Sequence, residues 1–405
     1  MAVSPAQNMS SAGSPDPHAV LLTGAQAVAE AMRQIDPDVM AVYPITPQTP
    51  IIESFSQFVA DGRVHTELLL MESEHSALSA TLGSALAGVR AVTATASQGL
   101  AYMIEILYIA AGLRAPFVMA VGMRALSAPI NIHADHSDVM LARDTGAVIV
   151  VAESAEEAYD LFIVGTRLSE DPDVMLPVLV SQDGFTTTHS AEPVHVFEDA
   201  VVRGFVGRYQ VPYPLLDTCR PTTQGAFAMP DSYFGQKIRV NRATVAAEER
   251  LVAIGREWAS LSGRDVSPVE GYRVEDAAVV LIAMGSAVGT MKDAVDRLRA
   301  DGIPAGVLKV RLFRPFPAEE VLAALRPGQE LLVFDRALSP GSQPVLYSEV
   351  ASRLRKQPVR SLVFGLGGRD LTGDAVVDLV RTRGRLPVQQ SVFVGVDEDE
   401  EEEQA

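Results

Sequence analysis

Along two long stretches of this chain short apolar runs alternate with segments of helical periodicity, and few folds accept that alternation. In the first stretch the runs at 39–42, 91–95, 116–121, 147–151 and 174–180 read as strands. The segments at 25–35, 51–59, 100–111 and 155–168 read as helices. Strands separated by helices cannot pair as hairpins, so the fold class is α/β, a doubly wound parallel sheet with helices on both faces. The pattern resumes at residue 277, with strands at 279–284, 305–310, 330–334 and 361–364 and helices at 288–300 and 319–325. This is a second, smaller α/β domain. Between the two, Pro212, Pro214, Pro221 and Pro230 interrupt the periodicity before a helix at 245–261. That segment is too long for an ordinary loop and too aromatic for disorder, so it is expected to pack along a domain or subunit surface. The expected organisation is a disordered start (1–18), a first domain with an extended C-terminal arm (19–270), a second domain (271–390) and an acidic tail (391–405).

Chemistry-bearing residues gather where strands end. Tyr43-Pro44-Ile45-Thr46-Pro47 closes the first run, and its prolines forbid continuation of ladder or helix, so Thr46 is presented on a rigid turn. Met71-Glu72-Ser73-Glu74-His75-Ser76-Ala77 opens a helix of small residues that lets another backbone or a flat cofactor approach, with the Glu74 carboxylate at its mouth. Glu72 and Glu74 equally fit acids favoured at a helix start, and Thr46 a turn or cap residue. Arg124 follows a strand at the edge where open α/β sheets bind ligands, placed either to clamp a carboxylate or to form a rim ion pair. His133, Asp135 and His136 lack a zinc-ligand spacing, and Asp135 and Asp138 fit loop braces or caps. No resident metal is expected. Ser97-Gln98-Gly99, Gly285-Ser286 and Gly365-Leu366-Gly367-Gly368 are either anion-binding turns or tight turns only.

Charge and cysteine content exclude several classes. A net charge of −18 argues against nucleic acid and anionic membrane surfaces. Seven of those negative charges form the tail from Asp397 to Glu403, a self-repelling segment. The chain has no long apolar span and its start lacks a signal-peptide pattern, so a cytoplasmic location without a membrane span is expected. Cys219 is the single cysteine, too few for the roughly four that an iron–sulfur cluster takes. Any cluster must sit on another chain.

In this order, Tyr43 to Pro47, Met71 to Ala77, Thr95-Ala96-Ser97-Gln98-Gly99, Arg124-Ala125-Leu126-Ser127-Ala128, Asp135-His136 and Lys309-Val310-Arg311-Leu312-Phe313-Arg314-Pro315-Phe316 resemble the α subunit of pyruvate:ferredoxin oxidoreductase and related 2-oxoacid oxidoreductases. The resemblance covers about 19–386. It implies that the first domain is a pyrimidine-binding thiamine diphosphate domain. The second would be a transketolase C-terminal-like domain, mainly structural and interfacial. The reaction implied is oxidative decarboxylation of a 2-oxoacid with coenzyme A to acyl-CoA, carbon dioxide and reduced ferredoxin. Carried over by position, Glu74 bonds N1' of the cofactor's aminopyrimidine, with Ser97, Gln98 and Gly99 beside it. Thr46 and Arg124 hold the substrate carboxyl and carbonyl, and Ile45, Ile130, Asn131, Ile132, Asp135 and His136 line the pocket.

The magnesium-diphosphate pattern of thiamine enzymes, Gly-Asp-Gly followed by paired asparagines, is not found, and Gly373-Asp374-Ala375 does not satisfy it. The resemblance then implies a hetero-oligomer. A β subunit supplies magnesium, diphosphate and a cluster, accompanied by γ- and δ-type subunits and by ferredoxin or another electron acceptor. His133 stands where the pyruvate enzymes often carry an aromatic. Pyruvate is the expected substrate, with a branched-chain or aromatic 2-oxoacid (2-oxoisovalerate, phenylglyoxylate) or oxalate as alternatives. Readings of another class are a non-catalytic assembly subunit and a metal hydrolase built on His133, Asp135 and His136.

Overall fold

The structure is a computed structural model that describes residues 18–354, 357–388 and 390–396. Of the expected disordered start (1–18) and acidic tail (391–405), residues 1–17 and 397–405 lie outside the described residues, while His18 opens a strand and Val392–Phe393 form another. The first unit runs β1 (His18–Thr23), α1 (Gly24–Ile35), β2 (Val39–Val42), α2 (Thr49–Ala60), β3 (Glu67–Leu70), α3 (Glu74–Ala87), β4 (Ala91–Thr95) and α4 (Ser97–Leu113). It continues with β5 (Val118–Met123), α5 (Ser137–Ala142), β6 (Val148–Ala152), α6 (Ala155–Ser169), β7 (Val178–Asp183), β8 (Ala191–Val196), α7 (Asp199–Val206) and α8 (Pro230–Ser262). The rest of the chain forms β9 (Val269–Tyr272), β10 (Val279–Ala283), α9 (Ala287–Ala300), β11 (Ala305–Val310), β12 (Leu312–Arg314) and α10 (Ala318–Ala324). It ends with β13 (Glu330–Asp335), α11 (Val345–Arg353), β14 (Val359–Val363), α12 (Gly373–Thr382) and β15 (Val392–Phe393).

Among the described residues these strands make a seven-stranded sheet ordered β12-β6-β7-β5-β4-β2-β3, a six-stranded sheet ordered β15-β14-β13-β10-β11-β9 and a β1-β8 ribbon. Both large sheets are parallel apart from β12 and β9, which join antiparallel. β4 to β7 are buried at every position, as strands covered on both faces must be. Alternate residues serve different layers. Val118, Ala120, Val148 and Val150 face α1, α2 and α6, whereas Met119, Val121, Ile149 and Val151 face α3 and α4. The second of these cores continues into one face of the six-stranded sheet through Val280, Ile282, Leu308 and Val310, so the two units share apolar packing. No helix among the described residues is long and apolar enough to cross a membrane.

Three features differ from the sequence expectation. β9 straddles the boundary expected between 270 and 271 and pairs with β11, because Val-Glu-Gly-Tyr carries too little apolar alternation to announce a strand. β12 crosses back to the first sheet, Leu312 lying opposite Val150. Pro230 does not break a helix but starts one, as the first residue of the 33-residue α8. Proline fits that position because its ring presets φ and its missing N–H would have had no helical partner. The first turns of α8 are largely exposed and lack an apolar face, so only its inner half was legible.

A buried charge network rivets the two units. Lys309 Nζ lies 2.9 Å from Glu153, 2.8 Å from Glu157 and 2.9 Å from Glu270. Lys292 reaches Glu153 and Glu270 at 3.0 and 2.9 Å, and Arg311 pairs with Glu157 and Glu270. Three carboxylates thus meet three cations. Burial opposes ionisation of Glu157, yet the charges of Arg311 and Lys309 hold it at about 2. Lys309→Met would leave three carboxylates facing two cations around the buried Glu157, and removing one partner of a buried pair costs roughly 3–5 kcal/mol. Urea unfolding should show that loss, and a change below about 1 kcal/mol would mean that the network contributes specificity rather than stability.

Candidate active site

The chemistry-bearing residues fall on one edge, the carboxyl ends of the parallel strands. After β2 the turn at Thr46 is pinned by its neighbours. Gln48 Nε2 donates to the Tyr43 carbonyl at 3.1 Å. Pro47 packs so closely that a Cβ at Gly184 would lie 2.9 Å from its Cγ. Thr46 itself is exposed and Ile45 half-buried.

After β3 the two acids separate in role. Ser76 Oγ donates to Glu72 at 2.5 Å and draws its carboxyl below the usual range, while the Ser73 hydroxyl caps α3 by accepting from the Ser76 N–H. Glu74, the first residue of α3, is half-buried and takes no hydrogen bond or ion pair among the described residues. Its carboxylate faces the start of α4. A Cβ at Gly99 would lie 2.9 Å from Glu74 Oε1 and 2.5 Å from Thr95 Oγ1, so only glycine lets the backbone approach. Thr95 Oγ1 is buried there with no partner of its own.

Arg124 directly follows β5 and is 7% exposed. Its Nε donates to the Asn131 carbonyl at 2.9 Å and its Nη1 to the Thr46 carbonyl at 2.8 Å. No carboxylate lies within ion-pair distance among the described residues, so the rim ion pair is not formed. Burial lowers the guanidinium pKa, against the pull of Asp138. The structure therefore brings Thr46, Arg124 and Asn131 together around a buried cation whose Nη2 has no protein acceptor among the described residues.

In each of the three glycine turns considered as anion sites, an N–H is taken by one of the protein's own acceptors. The Ser97 N–H donates to Asp138 Oδ2 at 2.8 Å, and Ser97 Oγ bonds the Ala125 carbonyl and Gln98. The Ser286 N–H and hydroxyl donate to Asp183 Oδ2 at 2.8 and 2.6 Å. The Gly368 N–H donates to the Ala134 carbonyl at 3.0 Å.

His136 and Asp135 turn inward. His136 Nε2 lies 2.7 Å from Asp183 Oδ1, with Arg336 3.4 Å from the other oxygen. Burial works against the Asp183 charge, but His136 and Arg336 hold its carboxyl well below the usual range. Asp135 accepts from the Ser137 N–H, and the His133 ring packs tilted against Phe185, with centroids 4.9 Å apart. These three side chains therefore serve separate partners, and no group among the described residues is arranged to hold a metal ion. Ile130 and Ile132 are 78% and 39% exposed, an apolar rim on the open side.

Sequence reasoning missed Asp183 and the reach of Asp138, the two acids that organise the edge. Asp138, read as a brace or cap, is fully buried and accepts N–H groups from Ser97, Arg124 and Val139. Asp183 ends β7, and a polar Ser181-Gln182-Asp183 finish to an apolar strand at the ligand edge was the available signal. A cavity of 320 Å³ lined by Leu113, Pro116 and Tyr209 lies at the opposite edge of the sheet and holds none of these groups.

Comparison with known proteins gives a consistent picture. Residues 30–255 match the family described as pyruvate flavodoxin/ferredoxin oxidoreductase, thiamine diphosphate-binding, and 277–376 match pyruvate:ferredoxin oxidoreductase core domain II. The chain is 50% identical to pyruvate synthase subunit PorA of Thermotoga maritima over 87% of this chain and 91% of that protein. It is 43% identical to the subunit of that name from Methanothermobacter thermautotrophicus, over 94% and 99%. It is 37% identical to ketoisovalerate oxidoreductase subunit VorA of Pyrococcus horikoshii, over 87% and 90%. In fold it is similar to 2-oxoglutarate:ferredoxin oxidoreductase of Magnetococcus marinus, solved with 2-oxoglutarate, coenzyme A and succinyl-CoA bound. That likeness has a TM-score of 0.70 and 18% identity, covering 90% of this chain and 65% of that longer one.

Asp138 generates a test. An amide in its place can no longer accept on both sides, so Asp138→Asn should cost about 1–3 kcal/mol for the orphaned N–H. Burial pushes the Asp138 carboxyl from 3.8 up to about 7, so the folded state holds a proton that the unfolded chain has released. The stability it contributes is present in full below about pH 4 and is lost as pH rises through 7. Urea unfolding of wild type and variant across that window should show the wild-type advantage shrinking. A difference that does not change with pH would contradict the burial effect.

Proposed function

The chain belongs to the pyruvate:ferredoxin oxidoreductase family, and from that premise we propose that it is the α subunit of a multi-subunit enzyme that oxidatively decarboxylates pyruvate with coenzyme A. The products are acyl-CoA, carbon dioxide and reduced ferredoxin. One observation carries the reading: an uncommitted carboxylate, Glu74, and a buried guanidinium without a carboxylate partner, Arg124, stand on the same sheet edge. A structural subunit has no use for that combination, since an unpaired buried cation only destabilises unless an anion arrives.

The residues present fit the pyrimidine half of thiamine diphosphate. Beside Glu74 the buried Thr95 Oγ1 has no partner among the described residues, and glycine at 99 lets both side chains close on the start of α4, where a Cβ would clash. When bound, the cofactor supplies a nucleophilic carbon for the 2-oxo group and takes up the electrons left as carbon dioxide departs. The chain's own work is proton and carboxylate handling. Glu74 holds a proton at the ring nitrogen. Arg124 and the Thr46 hydroxyl orient the substrate carboxyl, a fixed cation plus a neutral donor that grips an anion yet releases a neutral product.

The first sheet is the pyrimidine-binding unit in this reading, and the second unit is the transketolase C-terminal-like one. Magnesium, diphosphate and iron–sulfur clusters are assigned to a β subunit, with γ- and δ-type subunits completing the enzyme, because their ligand motifs are missing from this sequence. The apolar rim of Ile130 and Ile132, with the ketoisovalerate relative, makes a branched-chain 2-oxoacid the second reading.

The test uses the co-produced complex and follows pyruvate- and coenzyme A-dependent reduction of ferredoxin, with 2-oxoisovalerate as competitor. Pyruvate should give the higher kcat/KM. Glu74→Gln should leave assembly intact and lower turnover by about 10²–10⁴-fold, the usual worth of a positioned acid–base group. Full turnover in that variant removes Glu74 from the mechanism.

A further inference from the structure

We propose that the glycine loop of the second domain, Gly365 to Gly368, is a positioning element for the substrate carboxylate, acting through Asn131 on Arg124. The proposal rests on the functional reading above for its substrate and on geometry alone for its linkage. The Gly367 carbonyl accepts from Asn131 Nδ2 at 3.0 Å. Asn131 Oδ1 accepts from the His133 N–H at 2.7 Å, which shapes the turn, and the Asn131 carbonyl accepts from Arg124 Nε at 2.9 Å. One step further along the loop, the Gly368 N–H donates to the Ala134 carbonyl at 3.0 Å. The segment 125–136 is thereby tied at both its tip and its return by one loop from the other domain.

The tie is needed because the segment does little to order itself. Residues 127–130, 132 and 133 are exposed, and within the segment the Ala125 N–H to His133 carbonyl bond and the Asn131–His133 turn are what close it. The Arg124 fork is fixed by two carbonyls, and one of them sits on this segment. If Asn131 shifts, Arg124 keeps its charge and loses its direction, which a planar bidentate donor cannot spare.

The loop itself allows no side chain. Gly367 and Gly368 have φ of +60° and +86°, in the left-handed region that favours glycine. A Cβ at Gly367 would lie 2.5 Å from Asn131 Nδ2, and one at Gly368 2.4 Å from His133 Cβ. The close approach lies on the line that leads to Arg124. Gly365 anchors the same loop by accepting from Arg336 Nε at 3.0 Å. The second domain therefore contributes to the active site without touching substrate.

The experiment uses the assembled enzyme with Gly367→Ala, Asn131→Ala and the double variant. Gly367→Ala should lower kcat/KM for pyruvate roughly tenfold, the worth of one lost hydrogen bond, while thiamine diphosphate affinity stays at the wild-type value. On the Asn131→Ala background the same change should add little, because the link is already cut. Hydrogen exchange at the amides of 125–136 should quicken in Gly367→Ala, a readout that does not depend on turnover. Unchanged exchange, a fully additive double variant, or cofactor affinity lost in step with kcat/KM would each overturn the proposal. A wild-type complex with no 2-oxoacid turnover, but with faster exchange in Gly367→Ala, would sink the functional reading and leave the linkage standing.

Discussion

A guanidinium taken out of water without a carboxylate beside it is the constraint around which this site is organised. Arg124 is bonded by its side chain to two carbonyls, and its backbone N–H is received by the buried Asp138. The effective cost of burying an uncompensated charge is several kcal/mol. A fold keeps such a group only where something offsets it, and here the surroundings offer neutral acceptors while leaving part of the fork unused. The carboxyl nearest the strand end, Asp138, is spent on backbone N–H groups of Ser97 and Arg124 rather than on the guanidinium. It joins the carboxyl ends of β4 and β5 and so fixes the spacing between the Ser97 turn and Arg124.

The second domain is held on the first by directional contacts. Its strand ends face those of the first sheet, and what lies between is polar and specific. The His136–Asp183 pair is braced by Ser286 and Arg336, and the Lys309 cluster behind it joins both units. A shared apolar core alone would let two domains slide, because it is non-directional. Charge pairs and backbone bonds at fixed geometry do not permit that. The rigid seating of the Gly365 to Gly368 loop on the substrate-side segment follows from this junction.

How much was legible in the sequence depended on how local the cause was. The strands Ala91–Thr95 and Ala305–Val310 are continuous buried runs, and their bounds could be read directly. The start of α3 at Glu74 was legible because Ser73 and the acids mark a helix entry. β9 and β12 were not, since their strand state comes from partners far along the chain. The distant partners of Asp138 were not legible for the same reason. One of its donors lies 14 residues away and another 41, so nothing nearby distinguishes it from a cap. The glycine turns stayed open between two readings for the same kind of reason. Each does present N–H groups or close backbone, but the acceptors are Asp138, Asp183 and the Ala134 carbonyl, which no local pattern announces.

In the proposed function Arg124 orients the carboxylate common to every 2-oxoacid. Steady-state kinetics of the assembled Arg124→Lys enzyme over several 2-oxoacids tests it most directly. Lysine keeps the charge and loses the planar fork. The loss of a charge-assisted contact, about 1.5–3 kcal/mol, corresponds to roughly ten- to over one-hundredfold in kcat/KM. The account predicts that all the 2-oxoacids weaken alike while thiamine diphosphate binding barely changes. Loss of one substrate with the others at full rate would show that Arg124 reads the side chain instead, and would contradict it.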